Sequence, residues 1–209
     1  MDFKNKTALI TGSGQGVGKG IALALSKYGA NVALVGRTLS KVESVADEII
    51  SKGGSAIAIE CDVKHKDSIE SAVDLTISKF SSINFLINNA QEVPLGNLLQ
   101  VSEEAYEAGW LSGPLATFRF MRICHPYLKG GGNIINLASS SALRADSEGY
   151  GAYASVKEAI RSISRTAAVE WGPDNILVNC IMPLAKSAGM EWWMNERPLE
   201  AAEFVKTIP

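Results

Sequence analysis

The chain has 209 residues, 46% of them hydrophobic and 20% charged, with a formal charge of −2 at neutral pH. That length suits one packed domain and is short for two. No apolar run approaches the ~20 residues of a membrane span, and no basic run offers a footprint for nucleic acid. Cys61, Cys124 and Cys180 are scattered and form no C-x-x-C pair, so neither a disulfide framework nor a metal site is indicated. The opening MDFKNKTALI has no apolar core of signal-peptide length and no small-residue cleavage site. The expected setting is the reducing cytoplasm, with no membrane and no nucleic-acid partner.

Short runs rich in β-branched residues alternate with longer amphipathic segments, the pattern of βαβ units and a parallel sheet. In chain order the sequence predicts a strand at Thr7–Ile10, a helix over 17–28, a strand at Val32–Val35 and a helix over 39–52. A strand at Ala56–Glu60, a helix over 67–80 and a strand at Phe85–Asn88 follow. Then come a long helix over 102–128, a strand at Asn133–Leu137, a helix over 152–171 and a strand at Ile176–Ile181. No linker, repeat or low-complexity tract interrupts the series. The expected fold is α/β, a doubly wound parallel sheet of the Rossmann kind, as a single domain over 1–209.

The turn after the first strand holds Gly12, Gly14, Gly16, Gly18 and Gly20. Glycine costs roughly 0.5–1 kcal/mol against alanine in a regular element, so such a cluster marks special backbone geometry or a ligand close to the backbone. After a first strand and before a helix, it is where amides and the helix N-terminus receive a pyrophosphate. Gly12 would allow the tight turn, Gly16 the approach of backbone to phosphate, and Gly18 the packing of helix on strand. An acidic residue about 20 positions on would hold the ribose of NAD(H). VALVGRT instead ends in Gly36 and Arg37. A guanidinium binds a 2′-phosphate through paired hydrogen bonds, so NADP(H) is favoured over NAD(H).

At this point the chain resembles the short-chain dehydrogenase/reductase (SDR) family. The T-G-x-x-x-G-x-G motif stands as Thr11-Gly12-Ser13-Gly14-Gln15-Gly16-Val17-Gly18. Asp62-Val63, Asn88-Asn89-Ala90, Ser139, Tyr153-Ala-Ser-Val-Lys157 and a V-N-C-I-x-P run at Val178–Pro183 follow in the family's order. The resemblance spans nearly the whole chain, and the ordered set of motifs is far more specific than any one. It implies a cofactor site built from Gly12, Ser13, Gln15, Gly16, Val17, Gly18 and Arg37. Asp62 and Val63 would flank the adenine, Asn89 and Ala90 would lie along the cofactor, and Pro183 would pack near the nicotinamide. It also implies an oxidoreductase acting on a carbonyl compound or a secondary alcohol, with a 3-oxoacyl thioester as one candidate, and a homodimer or homotetramer.

Reducing a ketone takes a hydride from the cofactor and a proton from the protein. A tyrosine is a poor acid at its free pKa of about 10. Tyr153 and Lys157 are spaced i, i+4 and share a helix face, so the ammonium can lower the phenol's pKa. In the family this lysine also grips the nicotinamide ribose, and a serine hydrogen-bonds the substrate oxygen. Ser139 matches the strand-end pattern, and Ser140 is the runner-up.

Four features depart from the family. Trp110 stands where an asparagine usually supports a proton relay, and indole donates one hydrogen bond and accepts none. Gln91 and Leu184 stand where glycine is common. The chain also stops at Thr207-Ile208-Pro209, where the family continues with another helix and strand, so that ending is either truncated or dispensed with. A substrate loop is expected at 184–209, where Met190, Trp192, Trp193 and Met194 would either close over an uncharged substrate or pack as a short helix. The alternative function is a dinucleotide-binding sensor or scaffold with little turnover. An epimerase or dehydratase is a third, though nothing points to a sugar-nucleotide site.

Overall fold

The computed structural model describes residues 2–143, 145, 149–185 and 188–206. Six strands form one parallel sheet: β1 (Thr7–Thr11), β2 (Asn31–Gly36), β3 (Ser55–Glu60), β4 (Phe85–Asn88), β5 (Asn133–Leu137) and β6 (Leu177–Ile181). Their spatial order is β3-β2-β1-β4-β5-β6. The chain therefore builds outward from β1 to one edge and then crosses back to start the second half at β4. Where the winding reverses, the ends of β1 and β4 diverge and leave a crevice. All of β1 is buried, as expected for a parallel strand covered on both faces.

Helices α1 (Gly16–Lys27) and α2 (Leu39–Ser51) lie on one face, and α3 (Lys66–Phe80), α5 (Ala116–Leu128) and α6 (Gly151–Glu170) on the other. Alternation along β1 serves both layers: Ala8 and Ile10 join the α1/α2 core, and Leu9 joins the core with Phe120, Met121 and Ile134. The helices contribute stripes at 3- and 4-residue spacing, such as Val42, Val45, Ala46 and Ile49 on α2. Among the described residues no helix is long and apolar enough to cross a membrane.

Predicted and observed boundaries agree to within a residue or so, with one informative exception. The helix expected over 102–128 is α4 (Glu103–Trp110), a wider π-helical segment at Leu111–Leu115, and α5. Pro114 lies inside that segment. It has no N–H to donate and its ring crowds the preceding turn, so the helix widens to pass it. Upstream, the Ser102 hydroxyl caps α4 by accepting from the Ala105 N–H at 3.1 Å.

Of the substrate loop expected at 184–209, residues 186, 187 and 207–209 lie outside the described residues. The remainder includes α7 (Ala188–Glu196) and α8 (Pro198–Lys206). Trp193 of α7 meets Phe204 of α8 edge-on with centroids 5.5 Å apart, while Trp192 points outward, 61% exposed.

Candidate active site

The glycine turn is held from two sides. Gly12 and Gly16 adopt positive φ angles of 64° and 57°, conformations that favour glycine. A side chain at Gly12 would meet the Asn89 amide nitrogen at 2.8 Å, and one at Gly18 would meet the Gly12 carbonyl oxygen at 2.4 Å. Beside Gly16 the space is open. Asn89 braces the turn, its Nδ2 donating to the carbonyls of Thr11 and Gly12 at 2.9 and 3.0 Å. The Thr11 hydroxyl accepts from the backbone N–H groups of Asn89 and Ala90 at 2.9 and 3.0 Å, tying the end of β1 to the segment after β4.

Over this turn lies a cleft of about 430 Å³. Gly12, Gln15, Gly16, Val17, Arg37, Asp62, Val63, Asn89 and Ala90 all line it. Five expected cofactor residues do not: Tyr153 and Lys157, which stand on α6, and three others. Ser13 is fully buried, its hydroxyl turned to the Val35 carbonyl at 3.3 Å; Gly18 packs beneath the turn; and Pro183 is exposed just beyond β6. Gln91, which stands where the family has glycine, lines the cleft as well, and so do Lys41, Glu92 and Ser112, which no motif marked.

Of the departures from the family pattern, Gln91 lines this cleft and Trp110, 42% exposed, does not. The polar group that α4 and its continuation send inward is Ser112, whose hydroxyl donates to the Ala108 carbonyl at 2.7 Å and accepts from the Glu92 N–H at 2.9 Å. Gln91 Nε2 donates to the carbonyls of Glu92 and Gly109 at 2.7 and 2.8 Å. Both side chains thus serve carbonyls around the turn that Pro114 leaves one donor short.

The second group of residues sits where β5 ends and α6 begins. Lys157 is only 3% exposed, and its Nζ donates to the Leu137 carbonyl, the last residue of β5, at 2.6 Å. Burial pulls its pKa down to about 8, as low dielectric disfavours the ammonium. One turn earlier on α6, the Tyr153 phenol faces the Ser139 hydroxyl, which holds its pKa down against the effect of burial. Ser139 Oγ accepts from the Ser141 N–H at 3.2 Å, whereas Ser140 is exposed at the start of a 3₁₀ turn. The geometry therefore selects Ser139 over Ser140 as the serine against Tyr153.

The pKa logic differs from the expectation. Burial raises the Tyr153 pKa, the Ser139 hydroxyl lowers it, and Tyr150 raises it further. Lys157 Nζ stands 5.6 Å from the Tyr153 ring centroid. It is spent on the Leu137 carbonyl instead of on the phenol oxygen, so the group that opposes the rise here is Ser139. Tyr150 faces Tyr153 edge-on at 6.3 Å, and beyond it opens a second cavity of about 540 Å³ walled by Leu98, Leu143, Tyr150 and Ala154.

A family model described as short chain dehydrogenase matches residues 6–198. The chain belongs to the short-chain dehydrogenase family. Family members use a nicotinamide dinucleotide, and the residues present fit one: a left-handed glycine with open space beside it, a turn no larger side chain could enter, and a cleft at the crossover. Among curated relatives, a 12alpha-hydroxysteroid dehydrogenase of a Clostridium species is 41% identical, with the alignment covering 99% of this chain and 83% of that protein. Versicolorin reductase 1 of Dothistroma septosporum is 32% identical over 88% of this chain and 71% of its own. A short-chain dehydrogenase from Burkholderia cenocepacia, solved in complex with NADP, superposes with a TM-score of 0.86 at 28% identity, covering 90% of this chain and 78% of that one. This short-chain dehydrogenase is accordingly an oxidoreductase of Rossmann architecture.

Proposed function

We propose that the protein is an NADP(H)-dependent oxidoreductase that reduces a ketone, or oxidises the corresponding secondary alcohol, on a bulky apolar substrate. The observation that carries this reading is Tyr153 facing Ser139 beside buried Lys157, at the same end of the sheet as the glycine cleft. When bound, the dinucleotide supplies or accepts the hydride. Tyr153 would hand its phenolic proton to the substrate oxygen as negative charge develops there, and Ser139 would donate a hydrogen bond to the same atom. Placed side by side, both hydroxyls would reach a carbonyl oxygen that entered between them. Lys157 would present a positive charge beneath this site and a donor toward the ribose.

Arg37 lines the cleft where a 2′-phosphate would lie, and no carboxylate takes the position after β2 that would favour NAD(H). The substrate class draws support from the Leu98, Leu143 and Tyr150 walls of the second cavity. It also draws on the relatives named for a hydroxysteroid and for versicolorin. The unpaired cysteines fit a reducing compartment, in keeping with a cytoplasmic enzyme.

The test is NADPH oxidation against steroid ketones, polycyclic aromatic ketones, small diketones and 3-oxoacyl thioesters, with NADH and Tyr153→Phe as controls. Turnover that needs NADPH and Tyr153 and is fastest on ring ketones is expected. NADPH binding with no turnover on any of them would instead mark a dinucleotide-binding protein that has lost its chemistry.

A further inference from the structure

The cleft contains a carboxylate that the proposed reaction does not use. Glu92 Oε1 accepts from Arg37 Nη1 at 2.7 Å and from Lys64 Nζ at 3.1 Å. These cations come from different places, Arg37 from the end of β2 and Lys64 from the turn after β3. Glu92 joins them from the segment after β4.

Its backbone is held on both sides. The Glu92 N–H donates to Ser112 Oγ at 2.9 Å, and its carbonyl accepts from Gln91 Nε2 at 2.7 Å. The side chain thus starts from a fixed point on the cleft wall. Its grip on Arg37 is weak, because the arginine side chain is 63% exposed and exposed ion pairs are screened by water and salt.

We propose that Glu92 is a specificity-determining residue that acts as an internal competitor for the 2′-phosphate. It occupies Arg37 and Lys64 in the free protein and is displaced from Arg37 when that phosphate arrives. The proposal rests on the reading of Arg37 as the 2′-phosphate partner. A phosphate carries more charge than a carboxylate and offers three acceptor oxygens, so it takes the guanidinium, while Glu92 can remain with Lys64. Glu92 therefore lowers affinity for the phosphorylated cofactor and leaves the unphosphorylated one untouched. It narrows a preference that Arg37 alone would make wider.

The test is calorimetric titration of the full chain with 2′,5′-ADP and with 5′-AMP, which differs from it only in lacking the 2′-phosphate. Wild type, Glu92→Gln, Arg37→Ala and the double variant are compared at one low ionic strength. Glu92→Gln is expected to tighten 2′,5′-ADP up to roughly 5-fold, the scale of an exposed charge pair converted to affinity, with 5′-AMP unchanged. In the Arg37→Ala background most of that gain should vanish. Equal tightening of both ligands would overturn the proposal, since Glu92 would then be acting as a general negative charge. If Arg37→Ala erases the preference for 2′,5′-ADP but Glu92→Gln does not alter it, the arginine reading stands and the competitor role falls. If Arg37→Ala leaves the preference at its wild-type value, the arginine reading falls and the proposal with it.

Discussion

The side chain of Gln91 fills the place where a side chain at Gly113 would stand: a Cβ there would lie 2.2 Å from Gln91 Oε1. One residue is large because the other is absent. Gly113→Ala is therefore expected to destabilise the protein by about 1–3 kcal/mol through overpacking. In a Gln91→Gly background the same change should be neutral or favourable, since alanine is the better helix former by about 1 kcal/mol. Urea denaturation of the four proteins in a double-mutant cycle measures the coupling. Additive effects would mean that Gln91 swings aside freely.

Two glycines of α1 should respond in opposite ways. At Gly18 a methyl group would sit 2.4 Å from the Gly12 carbonyl oxygen and 2.6 Å from Asn89 Nδ2, whereas at Gly20 nothing lies within 4 Å. Gly18→Ala should lose stability and dinucleotide binding together. Gly20→Ala should keep binding and gain about 0.5–1 kcal/mol of stability. Thermal melts with and without NADPH separate the two.

The two adjacent serines offer a sharp comparison. Ser139→Ala removes the hydroxyl that faces Tyr153 and is expected to lower kcat by roughly 10²–10³-fold, the usual cost of one donor to a developing oxyanion. Ser140→Ala should stay within a few-fold of wild type. Cofactor affinity should hold in both, and steady-state kinetics with NADPH titrations would show it. A larger loss at Ser140 would reassign the serine.

Burial of Lys157 predicts a pH-dependent stability difference. Its pKa falls from an ordinary 10.5 to about 8 on folding, so between those values the unfolded chain binds more protons and stability rises with pH. The charged lysine thus costs stability below about pH 8, on the order of 3 kcal/mol in full, and progressively less above it. The stability of Lys157→Met minus that of wild type should therefore shrink as pH climbs from 8 to 10, read by urea melts at each pH. A difference that stays flat would mean that Lys157 is as easily charged in the fold as in water.

Much of this architecture is legible from local pattern. Strand and helix periods place the six strands, and the glycine, Asn89, Tyr153 and Lys157 motifs lie where β1, β4 and α6 carry them. Short-range rules stop where pairing is long-range or depends on a missing group. Nothing near Arg37 announces that its partner is Glu92, 55 residues away. Apolar spacing through 102–128 reads as one helix, because periodicity counts side chains and does not register that Pro114 withholds a donor. Trp110 looks like the loss of a polar group from the site until its exposure shows that it never enters, and Ser112 does. The second cavity escaped because Leu98 and Leu143, apolar and 74% and 61% exposed, resemble ordinary surface residues in sequence.

The Thr11 hydroxyl, which accepts from the N–H groups of Asn89 and Ala90, has a consequence for the order of folding. These bonds close a loop of 78 and 79 residues, and contacts that distant form late because their entropy must be spent before they stabilise anything. A refolding chain would gain helix well before it gains a finished glycine turn. Dinucleotide affinity should thus appear as one of the last native properties, a built-in sign that both halves of the sheet have met.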